Sequence, residues 1–260
     1  GIPGVISGGV TQINIAIGTV IASLQPGAVS QLYYADRVYE LPLSIVGIAV
    51  GVVLLPDVAR QLRAGDTAGV MDSQNRSLEF AMLLTVPATL ALAVIPHDIV
   101  RVLFERGAFH PEDTANTASL LAMFALGLPS FVMIKVFSPI YFAREDTKTP
   151  MRYAVISLTA NTIGSIVLFF VLRELGMMPQ LGIAIATTLG GWLNAYLLWA
   201  KLRKHDDFIA DARLRRNLPL IIVASVAMVG ALLSTSYVLS PYLGADAKFL
   251  EKTAALAVEI

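Results

Sequence analysis

The sequence predicts an all-α fold, a polytopic transmembrane helical bundle, and three observations carry that reading. Hydrophobic residues make up 56% of the 260 positions and charged residues 15%, whereas soluble domains carry about 25% charge. Seven mostly apolar runs, 7–25, 31–56, 79–96, 116–142, 152–172, 181–200 and 217–240, match the roughly twenty residues that a helix needs to cross a bilayer. None alternates with the period of two that a membrane barrel strand requires, so helices satisfy the backbone better than strands.

Each run has its own character. The first carries the amides Gln12 and Asn14. The second holds Pro42 and the small-residue pair Gly47 and Gly51, a spacing that allows close helix approach. Between the second and third, Asp66 to Glu79 is polar enough to lie at a membrane surface, with Asp66 or Thr67 as its N-cap. The third run contains Pro87, and the loop after it carries Asp98, Glu105, Glu112 and Asp113, expected to form a solvated face. The fourth contains Pro129, Pro139 and Lys135; the fifth contains Asn161. Proline removes a ladder hydrogen bond, which membrane bundles tolerate where neighbours re-satisfy the backbone. After the sixth run, residues 201–216 form the strongest boundary, with nine charges, before the seventh run opens near Pro219. An eighth apolar helix is expected to begin near 250, so the chain reads as an internal piece of a longer protein, with no cleavable signal peptide in view.

Orientation follows from Lys and Arg. The connections after the second, fourth and sixth runs hold twelve: Arg60, Arg63, Arg76, Arg144, Lys148, Arg152, Lys201, Arg203, Lys204, Arg213, Arg215 and Arg216. The opposite connections hold five: Arg101, Arg106, Arg173, Lys248 and Lys252. The richer set is expected in the cytoplasm. Two basic residues are left inside the runs, Arg37 and Lys135.

A charge at membrane depth costs roughly 2.5–3.5 kcal/mol on insertion scales, and so usually lines a pathway or cavity. Ser30, Arg37 and Ser44 recur every seven positions and share one helical stripe; Tyr33, Tyr34 and Glu40 fall near it. Arg37 lies about eight residues, roughly 12 Å, from the outer end of its helix. Snorkelling is the simple explanation for such an arginine, but a snorkelling residue does not need Ser, Tyr and Glu on its own face. A guanidinium in a polar stripe suits bidentate capture of phosphate or carboxylate. Lys135 is near enough to the cytoplasmic end that snorkelling and cavity lining both remain open. For Gln12, Asn14 and Asn161, interhelical hydrogen bonding is the expected role.

Enzyme chemistry finds little support. The chain has no cysteine, and its three histidines lack metal-ligand spacing. There is no GxSxG or phosphate-binding loop and no cluster of Asp or His at a membrane edge for a lipid-phosphate transferase. Zero net charge gives no sign of a nucleic-acid partner, and no cofactor is expected.

Two strings are distinctive: Ser30-x-x-Tyr-Tyr-Ala-Asp-Arg37-x-x-Glu40-x-Pro42 with Gly47-Ile-Ala-Val-Gly and Leu54-Leu-Pro56, and Lys135-Val-Phe-Ser-Pro139-x-Tyr141-x-Ala-Arg144-Glu-Asp-Thr147-Lys-Thr-Pro150. With Gln12-x-Asn14 and Ala22-Ser23, they resemble the MurJ (MviN) lipid II flippases over essentially the whole chain. The resemblance implies a multidrug/oligosaccharidyl-lipid/polysaccharide exporter fold and the C-terminal half of such a protein. Residues 1–203 would be a six-helix transport lobe, and 204–260 a cytoplasmic linker, one further helix and the start of another. It implies lipid II, an undecaprenyl-diphosphate-linked disaccharide-pentapeptide, as substrate, and membrane lipids and an N-terminal lobe as partners. The setting would be a bacterial inner membrane. The substrate-binding residues would be Arg37, Ser30, Glu40, Asp36, Tyr33 and Lys135. An exporter of another polyprenyl-linked glycan, or a drug/cation antiporter of the same fold, is the alternative; an enzyme acting on lipid-linked sugars stands behind both. One departure is Gly18, where many family members carry an acid that some use, with groups on the eleventh helix, to hold sodium. With Asn161 and Ser165 as neutral companions, no sodium site is expected here.

Overall fold

The computed structural model describes residues 16–205 and 207–243. After a helical stretch over 16–22 come α1 (Ala28–Arg63), α2 (Thr67–Val94), α3 (Pro96–Phe104), α4 (Pro111–Ala143), α5 (Lys148–Glu174), α6 (Leu181–Lys204) and α7 (Ala212–Leu243). Six of these, all but α3, are long and apolar enough to cross a membrane. Gln12, Asn14, Lys248, Lys252 and the expected eighth helix lie outside the described residues.

The helices start and stop where capping chemistry dictates. The Asp66 carboxylate accepts from the Gly69 N–H at 2.8 Å, Asp146 from the Thr149 N–H at 3.0 Å, and Asp211 from the Leu214 N–H at 2.6 Å. These acids sit at the N-termini of α2, α5 and α7, where the helix dipole favours an anion. Pro96 and Pro111 occupy the first position of α3 and α4, where a missing N–H costs nothing. Gly65 and Gly176 close α1 and α5 in the left-handed region, φ 73° and 69°, and Glu145 takes the same conformation after α4 at φ 61°.

In lipid, association rests on close packing rather than on the hydrophobic effect. The central helix is α4, the most deeply buried of the six long helices, with Leu120, Leu121, Leu128, Val132, Val136, Phe137 and Ile140 fully enclosed. It meets α1, α2 and α6; α5 packs on α6 and barely touches α4. Glycines set that arrangement. A methyl at Gly182 would fall 2.7 Å from the Leu168 backbone of α5, at Gly190 3.0 Å from Asn161 Cβ, and at Gly191 2.6 Å from Ser130 Oγ of α4. Thr188 and Trp192 of α6 donate to the Met123 and Leu126 carbonyls of α4, at 2.8 and 3.0 Å, and Tyr141 of α4 donates to the Leu198 carbonyl at 2.7 Å.

The connections gather into two ends. At one, Arg144 pairs with Asp207 at 2.5 Å, Ser73 donates to Asp57 at 2.6 Å, and Arg76 pairs with Glu79 and Asp211. At the other, Gln31 donates to Asp113 at 3.2 Å and Gln180 donates to Gln31 at 2.9 Å. The three connections expected in the cytoplasm thus share one end.

Asp66 is the N-cap as expected, and the helix it caps runs unbroken through the polar stretch to Val94. Two expectations are corrected. The 201–216 linker shrinks to the residues between Lys204 and Ala212, because α6 continues through its basic last turn and the rest is held by Asn75, which donates to the Ile209 carbonyl at 3.0 Å and accepts from the Asp211 N–H at 3.0 Å. The loop after the third run contains α3, whose Ile99, Val100 and Val102 enter the core. Of the four acids expected on a solvated face, Glu112 is exposed, whereas Glu105 accepts from the Thr114 hydroxyl at 2.7 Å and Asp113, in the first turn of α4, accepts from Gln31 and from the His110 N–H.

Candidate functional site

A cavity of about 1100 Å³ opens between α1, α4, α5, α6 and the stretch 16–22, just above the roughly 300–1000 Å³ range of small-ligand pockets. Tyr33, Asp36, Tyr39 and Glu40 of α1 and Lys135 of α4 form a charged and aromatic wall. The heptad register of α1 explains why Tyr33, Asp36 and Glu40 arrive together, since residues three, four and seven apart stack on one face. Tyr39 is fixed by stacking on Phe124, with centroids 5.4 Å apart.

Arg37 is not one of the lining residues; it stands beside them. Its Nη1 donates to Glu40 at 3.2 Å and its guanidinium carbon lies 4.9 Å from the Tyr33 ring centroid, so both of its partners line the cavity. The side chain is 57% exposed, and an open pair of this kind contributes little to stability. Its five donors are therefore mostly available for an anion. Ser30, Arg37 and Ser44 all lie on the exposed side of α1, as one stripe should.

Two residues of the expected group go elsewhere. Ser30 lines a separate pocket of about 540 Å³ against the first turns of α1, with Gln31, Tyr34 and Asp113. Tyr34 packs on Phe104 of α3 and on Phe109, at 4.8 and 5.4 Å between centroids. Helical register alone joins them to Arg37, and packing against Phe104 of α3 turns the Tyr34 ring away from it.

Lys135 lines the cavity rather than only reaching outward. Its stem runs over Gly47 of α1: a methyl there would lie 2.7 Å from Cδ and 2.9 Å from Cε. The close approach expected of Gly47 and Gly51 is thus made at Gly47 by a side chain, while Gly51 faces open space.

The facing wall is polar and uncharged. Ser157, Asn161, Thr162 and Ser165 come from α5, Thr187 and Asn194 from α6, and Gly18 and Thr19 from the first stretch. Asn161 makes the interhelical hydrogen bond expected of it, accepting from Thr187 at 3.4 Å as well as from Ser165 at 3.2 Å. Of this wall Gly18, Asn161 and Ser165 stand out in the sequence, and the four-residue spacing of Ser157, Asn161 and Ser165 is the signal that extends it. Among the described residues, no three His, Asp or Glu side chains stand close enough together to hold a metal ion.

Two more lining residues, Thr147 and Pro150, are the N-cap and a first-turn residue of α5. Asp146, which shapes that first turn, is raised by partial burial, but hydrogen bonds from Thr149 and the Lys148 N–H, with the Lys201 charge, bring it below the ordinary carboxylate value. It remains an anion and a cap at physiological pH.

The family model described as Lipid II flippase MurJ matches residues 1–248. The chain is 46% identical over 259 residues to the "Probable lipid II flippase MurJ" of Rhizobium tropici, covering 100% of this chain and 48% of that protein. It is 34% identical over 263 residues to the protein of the same name in Rickettsia prowazekii, covering 99% and 51%. It therefore spans about half the length of these curated relatives. Among solved structures, one of lipid II flippase MurJ in an inward closed conformation superposes with a TM-score of 0.74 at 24% identity, over 96% of this chain and 51% of that one. An outward-facing multidrug resistance MATE family transporter of the MOP superfamily gives 0.66 at 18% identity, over 92% and 53%. At those identities the likeness speaks for the fold.

Proposed function

Because the chain belongs to the lipid II flippase MurJ family, we propose that it forms one half of a transporter that moves lipid II from the cytoplasmic to the outer leaflet of a bacterial inner membrane by alternating access. The observation that carries this reading is the charged wall of the cavity, with Arg37 presented at its edge inside a membrane-spanning helix. In this reading Arg37 pairs with the diphosphate and Lys135 adds a second cation. Asp36, Glu40 and Tyr33 orient the guanidinium, and Ser30 acts from the outer end. The cavity receives the head group while the polyprenyl tail stays in lipid. Residues 1–203 serve as the transport lobe and 204–260 as the attached linker and helices. A preceding lobe closes the cavity from the side that α1 leaves open. The work is transport, with no catalytic step, no cofactor and no nucleic acid.

The test is depletion of the full-length protein in growing cells. Lipid II accumulating on the cytoplasmic side is the expected result. Accumulation of a different polyprenyl-linked glycan, or of none, would favour the second reading, another exporter of the fold, which the 0.66 TM-score to a multidrug transporter keeps in view.

A further inference from the structure

We propose that the uncharged wall of the cavity, Ser157 and Asn161 on α5 with Thr187 and Asn194 on α6, is a second subsite that binds a neutral hydrogen-bonding group of the cargo, an amide or a sugar hydroxyl. This deepens the transport reading above and rests on it. Two observations carry it. First, the wall is built: Ser157, Asn161 and Ser165 stand four residues apart on one face, and Gly190 lets α6 approach until a methyl there would sit 3.0 Å from Asn161 Cβ and 3.4 Å from the Ser157 carbonyl. Asn161 is held by the hydroxyls of Ser165 and Thr187. Second, the wall is unfinished. The Ser157 hydroxyl, on a residue 6% exposed, and the buried Asn194 Oδ1 have no hydrogen-bond partner, and both residues line the cavity.

A buried polar atom without a partner is disfavoured, and such atoms persist where something else satisfies them. A hydroxyl that can donate and accept, lining the same cavity as a carboxamide oxygen that accepts, offers what an N-acetyl amide or a sugar hydroxyl needs. The wall itself contains no charged side chain, so it gives a diphosphate nothing to pair with; the cavity's charges are on α1 and α4. The division of labour is then plain: the charged wall takes the phosphates, and the neutral wall reads the sugar or peptide beyond them.

The experiment uses the full-length protein in detergent or nanodiscs and two probes: a short-chain, water-soluble lipid II analogue, and the same prenyl diphosphate without sugar or peptide. Ser157→Ala and Asn194→Leu, alone and together, should weaken the analogue about tenfold in the double variant and leave the bare diphosphate within about twofold. Ser157→Thr, which keeps the hydroxyl, should retain most of the affinity. Unchanged analogue binding would mean that water alone satisfies the wall and would overturn the proposal. A parallel loss for both probes would make the wall structural and overturn it too. If the unsubstituted protein binds neither probe, the transport reading itself fails, and that is seen before any substitution is made.

Discussion

At the scale of single residues, Arg37 offers the sharpest test of the proposed function. Its guanidinium lies against Tyr33 and Glu40 with more than half of the side chain open, so it is oriented without being consumed. Arg37→Ala in the full-length protein should abolish lipid II export while the protein still inserts. Arg37→Lys should restore only part, because an ammonium lacks the bidentate fork. Growth of cells that carry Arg37→Ala as the sole copy would refute the assignment. Lys135 offers a subtler check. Its stem needs the space above Gly47, and Gly47→Val would push a flexible side chain aside rather than break the core. Export should fall severalfold while expression and apparent Tm stay close to the parent, and Gly51→Val, which meets open space, should leave all three unchanged. The stripe on α1 could be read from the sequence because seven-residue recurrence is a property of one helix. The Gly47–Lys135 contact could not, since it depends on how two helices far apart in sequence cross.

At the scale of elements, the caps mattered more than the run lengths. The six long helices follow from apolar runs, and the true starts of three of them, α2, α5 and α7, follow from Asp66, Asp146 and Asp211, of which Asp66 is legible in the sequence. The short helix α3 was missed because its nine residues are interrupted by His97, Asp98 and Arg101, although Pro96 and the Ile99-Val100-Val102 face were there to be read. The start of α7 is the element most open to test. Asp211 titrates below the ordinary carboxylate value because the Leu214 N–H bonds it, an effect that outweighs its slight burial and is reinforced by the Arg76 guanidinium. A depressed pKa means that this stabilisation is complete above the unfolded value of about 3.9 and is lost as pH falls through the lower folded value. Thermal stability should therefore not change through Asp211 between about pH 5 and pH 8. Asp211→Ala should lower the apparent Tm by about 2–4 °C, the effect of losing a cap of about 1 kcal/mol in a chain of this size. A Tm equal to the parent's would show that the anchor is idle.

At the scale of the whole molecule, the three basic connections meet at one end, which the twelve-to-five count of Lys and Arg assigns to the cytoplasm. The absence of cysteine from the chain makes this easy to measure. Cysteines placed at Ala64 and Ala210 should resist an impermeant thiol reagent in intact cells and react after permeabilisation, and one at Ala108 should react from outside; the reverse pattern would invert the topology. The energy source belongs to this scale as well. Gly18 and the neutral groups near Asn161 would hold a sodium ion without charge compensation, which is costly in a low-dielectric bundle. Export should then survive removal of the sodium gradient while the membrane potential is clamped, and collapse under that treatment would show that an acid elsewhere in the protein holds the ion. The packing of α6 between α4 and α5 has a mechanical consequence. Glycines on two of its sides and hydrogen bonds to the α4 backbone leave it no room to slide, and α5 is joined to α4 chiefly through it. The three helices form a stiff slab with α6 as its spine. A displacement of α5 therefore reaches α4, and with it the α1 wall of the cavity packed on α4, chiefly by way of α6.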